Sequence, residues 1–152
     1  MAKIADSLKL NQPEIEQIMQ TESRLRIATI GPGHEINLTP MTFGWAGQQI
    51  YIFGRGQKVA NIRRTPTATV LVDLGEQWRE LKGIMLRGEA KILESSQEEA
   101  TDEFLAEAQL NLGLKHQLQK DGKTVPYEAT ASGRTRRWIV FIPKKVISWD
   151  NS

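Results

Sequence analysis

A chain of 152 residues with 39% hydrophobic and 25% charged side chains can bury a proper core and has the balance of one soluble globular domain. Its net charge of +2 argues against a polybasic surface spread over the whole chain, and the lack of cysteine excludes disulfides, thiolate nucleophiles and zinc–thiolate sites. There is no signal-like start and no long apolar run, so a cytoplasmic protein without membrane insertion is expected.

The first element is a helix over NQPEIEQIMQ, with Pro13 suited to its first turn and Ile15, Ile18 and Met19 on one apolar face. The period then changes to two. RLRIATI (24–30), EINLTPMTF (35–43) and IYIFG (50–54) read as strands joined by the turns GPGHE and GWAGQQ, an antiparallel meander. A short helix over 57–64 stops at Pro66. TATVLVD (67–73) and LKGIMLRGEAKIL (81–93) follow as strands, the second with Ile84, Leu86, Ala90 and Ile92 on one face. Ser96 to Glu99 matches a capping box and opens a helix to about Leu112, with Phe104, Leu105 and Ala108 facing inward. Residues 120–135 read as a loop. RRWIVFI (136–142) and KVISW (145–149) read as two strands broken by Pro143. The sum is a mainly β fold, a β-barrel of six or seven antiparallel strands with peripheral helices, closed because closure removes exposed edges.

Charge is unevenly placed. No acid occurs between Glu35 and Asp73, and Arg55, Lys58, Arg63 and Arg64 fall inside that gap, while six acids gather over residues 94–107. The stretch GRGQKVANIRRTP (54–66) therefore admits three readings: a solvated basic face, a nucleic-acid patch, or a cradle for a cofactor phosphate. For the cradle, a strand ends at Phe53, glycines let amides approach an anion, and a helix begins with its positive end there. Arg63 and Arg64 sit too far along the helix to join it, and are expected to pair with acids or to line a subunit contact. A dinucleotide fingerprint fits poorly, since Val59 stands where Gly or Ala is required. Nucleic acid is disfavoured because the second basic group (Arg134, Arg136, Arg137, Lys144, Lys145) lies far along the chain. His34 and His116 are read as surface residues, no metal-ligand motif occurs, and no acid–base pair stands out, so catalytic residues stay unassigned and any reactivity would come from a cofactor.

Taken together, RIATIGPGHEINLTPMTF, IYIFGRGQKVANIRRTPTATVLVD, LKGIMLRGEAKIL and RRWIVFIPKKVISWD resemble the pyridoxamine-5′-phosphate-oxidase-like split-barrel proteins. The run from Lys58 to Pro66 and the VLVD strand resemble most closely the branch of flavin- and deazaflavin-dependent oxidoreductases. The resemblance implies one split-barrel flavin-binding domain over 1–152, with a helical segment at 1–23 and a helix and loop insertion at 95–135. It implies a homodimer holding FMN, or alternatively coenzyme F420, at the subunit interface, and a small-molecule substrate with neither nucleic acid nor membrane as partner. Carried over by position, Arg55 and Lys58 hold the cofactor phosphate beside the Gly56 and Gln57 amides. Leu38, Thr39, Pro40 and Met41 lie along the ring, Phe53 and Gly54 line the route between ring and phosphate, and Trp78 and Trp149 approach from the partner chain. Asn61 belongs to the motif as a structural residue. The activity implied is hydride transfer through the bound flavin or deazaflavin, with an F420-dependent reductase or a non-catalytic FMN/F420 carrier or sensor as alternatives.

Overall fold

The computed structural model describes residues 9–130 and 135–152. Residues 1–8 of the N-terminal segment and residues 131–134 of the expected loop, Arg134 among them, lie outside the described residues.

Helix α1 (Gln12–Thr21) starts where the sequence signals it. The Asn11 side chain accepts from the Glu14 N–H at 2.9 Å, and Glu14 accepts in return from the Asn11 N–H. Strands β1 (Arg24–Ile30), β2 (Ile36–Thr42), β3 (Gly44–Ala46) and β4 (Gln49–Gly54) form the meander, with β3 and β4 making a hairpin inside what reads as a turn. Helix α2 (Gln57–Arg64) leads to β5 (Thr67–Leu74) and β6 (Lys82–Leu93), and β9 (Arg137–Asp150) closes the chain. These seven strands make one antiparallel sheet in the order β2-β1-β5-β6-β9-β4-β3. It curls into a half-barrel, so the mainly β split barrel expected from sequence is the fold observed. Nothing ladders β2 to β4, yet a Cβ built on Gly54 would lie 3.4 Å from the Met41 methyl carbon, so the two edges meet across an unpaired seam.

Two layers of core hold this shape. Ile27, Ile50, Ile52, Val70, Val72, Ile84, Leu86 and Phe141 fill the inside of the half-barrel, each essentially removed from water. On the other side of β4 and β9, Tyr51, Trp138 and Val140 pack with Leu93 against α4 (Leu105–Lys115) through Leu105, Ala108 and Leu112. Each such aliphatic side chain contributes roughly 1.5–3 kcal/mol.

The structure corrects two expectations about elements. The helix begun at residue 96 is two helices, α3 (Ser96–Thr101) and α4, because Asp102 turns inward. Its carboxylate accepts from the Tyr51 hydroxyl at 2.6 Å and from the Phe104 and Leu105 N–H groups, capping α4, and burial together with that carboxylate pushes the Tyr51 hydroxyl far up. The cap of α3 is Ser95, one residue before the expected box. Residues 137–150 are one strand instead of two. Pro143 sits at a bulge, where the register passes from Arg87↔Lys145 to Gly88↔Pro143 and leaves Lys144 unmatched, so the missing N–H costs little there. The loop after α4 also carries a small hairpin, β7 (Gln119–Lys120) with β8 (Lys123–Thr124).

The bulge needs its glycine: a Cβ on Gly88 would stand 2.1 Å from the Ile142 carbonyl oxygen. Gly88→Ala is therefore expected to lose about 2–3 kcal/mol of stability, read as a lowered urea midpoint at unchanged m-value. Lys115 supplies a second test. Its ammonium lies 3.6 Å from the Phe43 ring centre and donates to the Phe43 carbonyl at 3.1 Å. Burial nevertheless brings its pKa down from 10.5 to about 7, against the smaller pull of Glu22 and of the ring face. Between those two values the unfolded chain holds the proton and the folded one sheds it, so stability rises as pH goes from 7 towards 10. Lys115→Met should flatten that slope and stabilise the protein at pH 7 by about 1–2 kcal/mol, measured by denaturation at a series of pH values.

Candidate anion cradle and cofactor site

Strand β4 ends at Gly54 and the chain turns through Arg55 into α2. The helix starts on Gly56, whose φ of +85° suits glycine and which gives no side-chain cap. A Cβ built there would meet no atom within 4 Å, so the first turn opens directly to its surroundings. The leading amides of a helix have no intrahelical partner, which leaves the Gln57 and Lys58 N–H groups facing this opening.

Lys58 lays its stem against Gly54, and its ammonium donates to the Arg55 carbonyl at 2.8 Å. Burial lowers its pKa first, and Arg136 and Arg55 lower it further, so the charges acting on this lysine are cations. In the sequence Arg136 belongs to the second basic group, far along the chain from Lys58. Pairing of Gly54 with Arg137 in the β4–β9 ladder brings it to the cradle. Three bases gathered at a helix N-terminus make a candidate anion site.

The expected ring-facing run divides by the pleat of β2. Thr39 and Met41 turn inward towards the seam, whereas Leu38, 63% exposed, and Pro40 turn outward. The outward pair lines a cavity of about 620 Å³ with Arg24, Arg26 and Asp73, the last two joined at 2.6 Å. Inward, Thr39 Oγ1 and Asn37 Oδ1 are buried without a hydrogen-bond partner. Orphaned polar atoms are costly, and two of them, two residues apart on one face, suit a ligand edge that hydrogen-bonds. Asn37 is the residue that sequence reading missed; its spacing from Thr39 was the available signal. The Phe43 N–H donates to the Ser23 carbonyl, so in the alternating antiparallel ladder the odd residues of β2 bond to β1. The Leu38 N–H and C=O then point to the free edge, and Pro40 forfeits no bond to β1.

The remaining candidates fall elsewhere. Phe53 faces the second layer, its ring centre 5.1 Å from that of Trp138. Gln57 donates to Asn61 at 2.7 Å, and Asn61, fully buried, donates to Thr29, so this pair ties α2 to β1. Arg63 forms a two-pronged pair with Glu94, and Arg64 bonds the Ile30 carbonyl, both away from the cradle. Trp149 lies over Gly83 near the end of β9, and Trp78, 75% exposed, sits beyond β5. Trp149 lies eleven positions along β9 from Trp138, at the end of the strand paired with Gly83 and remote from the β4 pairing that sets Arg137 beside Gly54. One protomer does not bring these tryptophans to Lys58. Among the described residues no group of three His, Asp or Glu side chains is placed to hold a metal ion, and no helix is long and apolar enough to cross a membrane.

The sequence profile of the pyridoxamine 5′-phosphate oxidase family matches residues 12–150. The chain belongs to that family. The split barrel of this pyridoxamine 5′-phosphate oxidase relative also matches solved structures of low identity. A conserved hypothetical protein of Mycobacterium tuberculosis superposes with a TM-score of 0.76 at 21% identity, over 99% of this chain and 91% of the other. An FAD-binding protein of Mesorhizobium loti gives 0.70 at 18% identity, over 95% and 97%. An F420 reductase gives 0.58 at 19% identity, over 87% and 94%. No curated protein matches the sequence significantly. At these identities the structural matches bear on the fold, and membership of the family rests on the profile.

Proposed function

We propose that the protein is a cytoplasmic flavin- or deazaflavin-dependent oxidoreductase, a homodimer that holds FMN or coenzyme F420 between its subunits and acts on a small molecule. The observation that carries this reading is the convergence of Lys58, Arg55 and Arg136 on the open first turn of α2, a phosphate-sized demand for negative charge. The orphaned Asn37 and Thr39 oxygens on the adjoining seam fit a polar ring edge, so the residues present suit such a group.

In this reading Lys58 and the Gln57 amide hold the phosphate, with Arg55 and Arg136 neutralising the rest of its charge. Thr39 and Asn37 orient the ring by hydrogen bonds, and the edge N–H and C=O of Leu38 are available to it. Met41 and Gly54 set the spacing between ring and phosphate, Gly54 because a Cβ there would already touch Met41, Ile139 and Lys58 and a longer side chain would take up the space among them. A flavin or deazaflavin supplies hydride acceptance and donation when bound.

The dimer is supported by the outer face of the sheet. Leu38, Ala28, Pro40, Leu71, Met85 and Ile147 fall on neighbouring rows of one face and keep part of their surface in water. Arg24, Arg26 and Asp73 border these side chains on the same face, and a half-exposed apolar patch with a charged margin suits a contact surface. A second copy seated on it also offers the route by which Trp78 and Trp149 approach the ring.

The test is the visible spectrum of the protein after incubation with FMN or F420 and removal of excess, followed by reduction with NADPH. A retained and reducible cofactor supports the oxidoreductase. A retained cofactor that passes no hydride to any acceptor makes the protein a carrier, and retention of neither removes the assignment.

A further inference from the structure

Beside the cradle, on the other flank of the first turn of α2, lies a cavity of about 300 Å³ lined by Arg55, Gly56, Val59, Ala60, Arg63 and Thr135. We propose that this cavity is a second anion subsite, which takes the charged tail of a cofactor that continues past its first phosphate. The proposal rests on the cofactor reading above and narrows it, because FMN ends at its phosphate.

The β4–β9 ladder sets the arrangement. The ladder ends where Gly54 pairs with Arg137; beyond it Arg136 comes near Lys58, and Thr135 meets Arg55 and Gly56 at the cavity. Arg136 acts on Lys58, while Thr135 lines the cavity. Arg55 belongs to both, since it is felt by Lys58 and also lines the cavity.

Charge leads to the same conclusion. Lys58, Arg136 and Arg55 bring three positive charges to one turn, and a phosphate monoester carries at most two negative ones. Arg63, at the far wall, is already neutralised by Glu94 through contacts of 2.6 and 2.8 Å. Glu94 fixes that wall and also faces Arg137 at 4.0 Å; among the described residues lining the cavity, Arg55 is the cation without a carboxylate on it, with the Thr135 hydroxyl as a neutral donor. Val59 and Ala60 make the floor apolar, suited to the short linking atoms between two charged groups. Gly56 separates the two subsites and carries no side chain to block passage. The volume is at the lower end for ligand pockets and accommodates a second phosphate or a carboxylate with its linker, but no further large ring.

The chemistry shared by the candidates is a second anionic group a few bonds beyond the first phosphate. It can be the second phosphate of FAD or the glutamate carboxylates of F420, and titration separates the two. The affinities of the full chain for FMN, FAD, F420 and deglutamylated F420 are measured by fluorescence at fixed salt. FAD is expected to bind at least tenfold more tightly than FMN if the tail is a phosphate. F420 is expected to exceed its deglutamylated form by the same factor if the tail is a carboxylate. Ala60→Phe, at an exposed helix position, fills the cavity, and Thr135→Glu sets a negative charge at its mouth; each should bring the preference below threefold. Binding of FMN with no preference for either tail overturns the subsite alone. A preference that survives both substitutions overturns its placement. Binding of none of the four overturns the subsite and, with it, the reading beneath it.

Discussion

Lys58→Ala is expected to weaken binding of FMN or F420 by about 10- to 100-fold while leaving the fold intact. The magnitude is that of one charge-assisted hydrogen bond, roughly 1.5–3 kcal/mol. The fold should tolerate the change because the ammonium bonds a single backbone carbonyl, that of Arg55, and its stem borders a seam that carries no ladder. Removing a cation from beside Arg55 and Arg136 even relieves repulsion in the free protein. The pH dependence is a second readout. In the free protein, burial and the two arginines hold the Lys58 pKa below its ordinary value, and a bound phosphate would raise it. The proton is therefore held more tightly in the complex than in the free protein. Binding strengthens as pH falls through the range where free Lys58 takes up its proton, and that dependence should vanish in Lys58→Ala. Equilibrium titration of both proteins across the alkaline range checks both statements, with thermal melting as the control for folding.

Met85→Glu is expected to convert a dimer into a monomer, seen by sedimentation equilibrium, and to lower cofactor retention with it. Met85 lies between Leu71 and Ile147 on the outer face of the sheet, with Arg26 and Pro40 further along the same row. A two-fold contact would bury two substituted carboxylates per dimer, one from each subunit, and a buried unpaired charge costs several kcal/mol apiece. The monomer should keep its stability, because the side chain stands on the half-exposed face and neither core layer includes it. Loss of the dimer with full cofactor retention would place the cofactor within one subunit, and a wild-type monomer would remove the interface.

Much of the barrel was legible because its signals are local. The alternation in RLRIATI gives β1 its buried Leu25 and Ile27, and Pro13 with the face of Ile15, Ile18 and Met19 announces α1. The basic turn at 54–58 announced itself through glycine, lysine and the stop at Pro66. What escaped depends on contacts distant in sequence. Asp102 breaks the second-half helix because a tyrosine fifty-one residues earlier donates to it. Pro143 interrupts nothing because Gly88, on the neighbouring strand, lets the bulge close. Arg136 joins Lys58 only once β4 and β9 are paired, and no local pattern encodes that pairing. Asn37 and Thr39 share a face by simple alternation, but their unmet hydrogen bonds emerge only from the packed seam.

The most direct test of the phosphate cradle is the affinity of the protein for FMN against riboflavin, which carries the same ring without the phosphate, with F420 and its phosphate-free chromophore as the parallel pair. At least one phosphorylated member is predicted to bind 100-fold or more tightly than its partner, with most of that advantage lost at high salt and in Lys58→Ala. Equal affinity within each pair would contradict the cradle, and with it the assignment of Arg55, Lys58 and Arg136 to a cofactor.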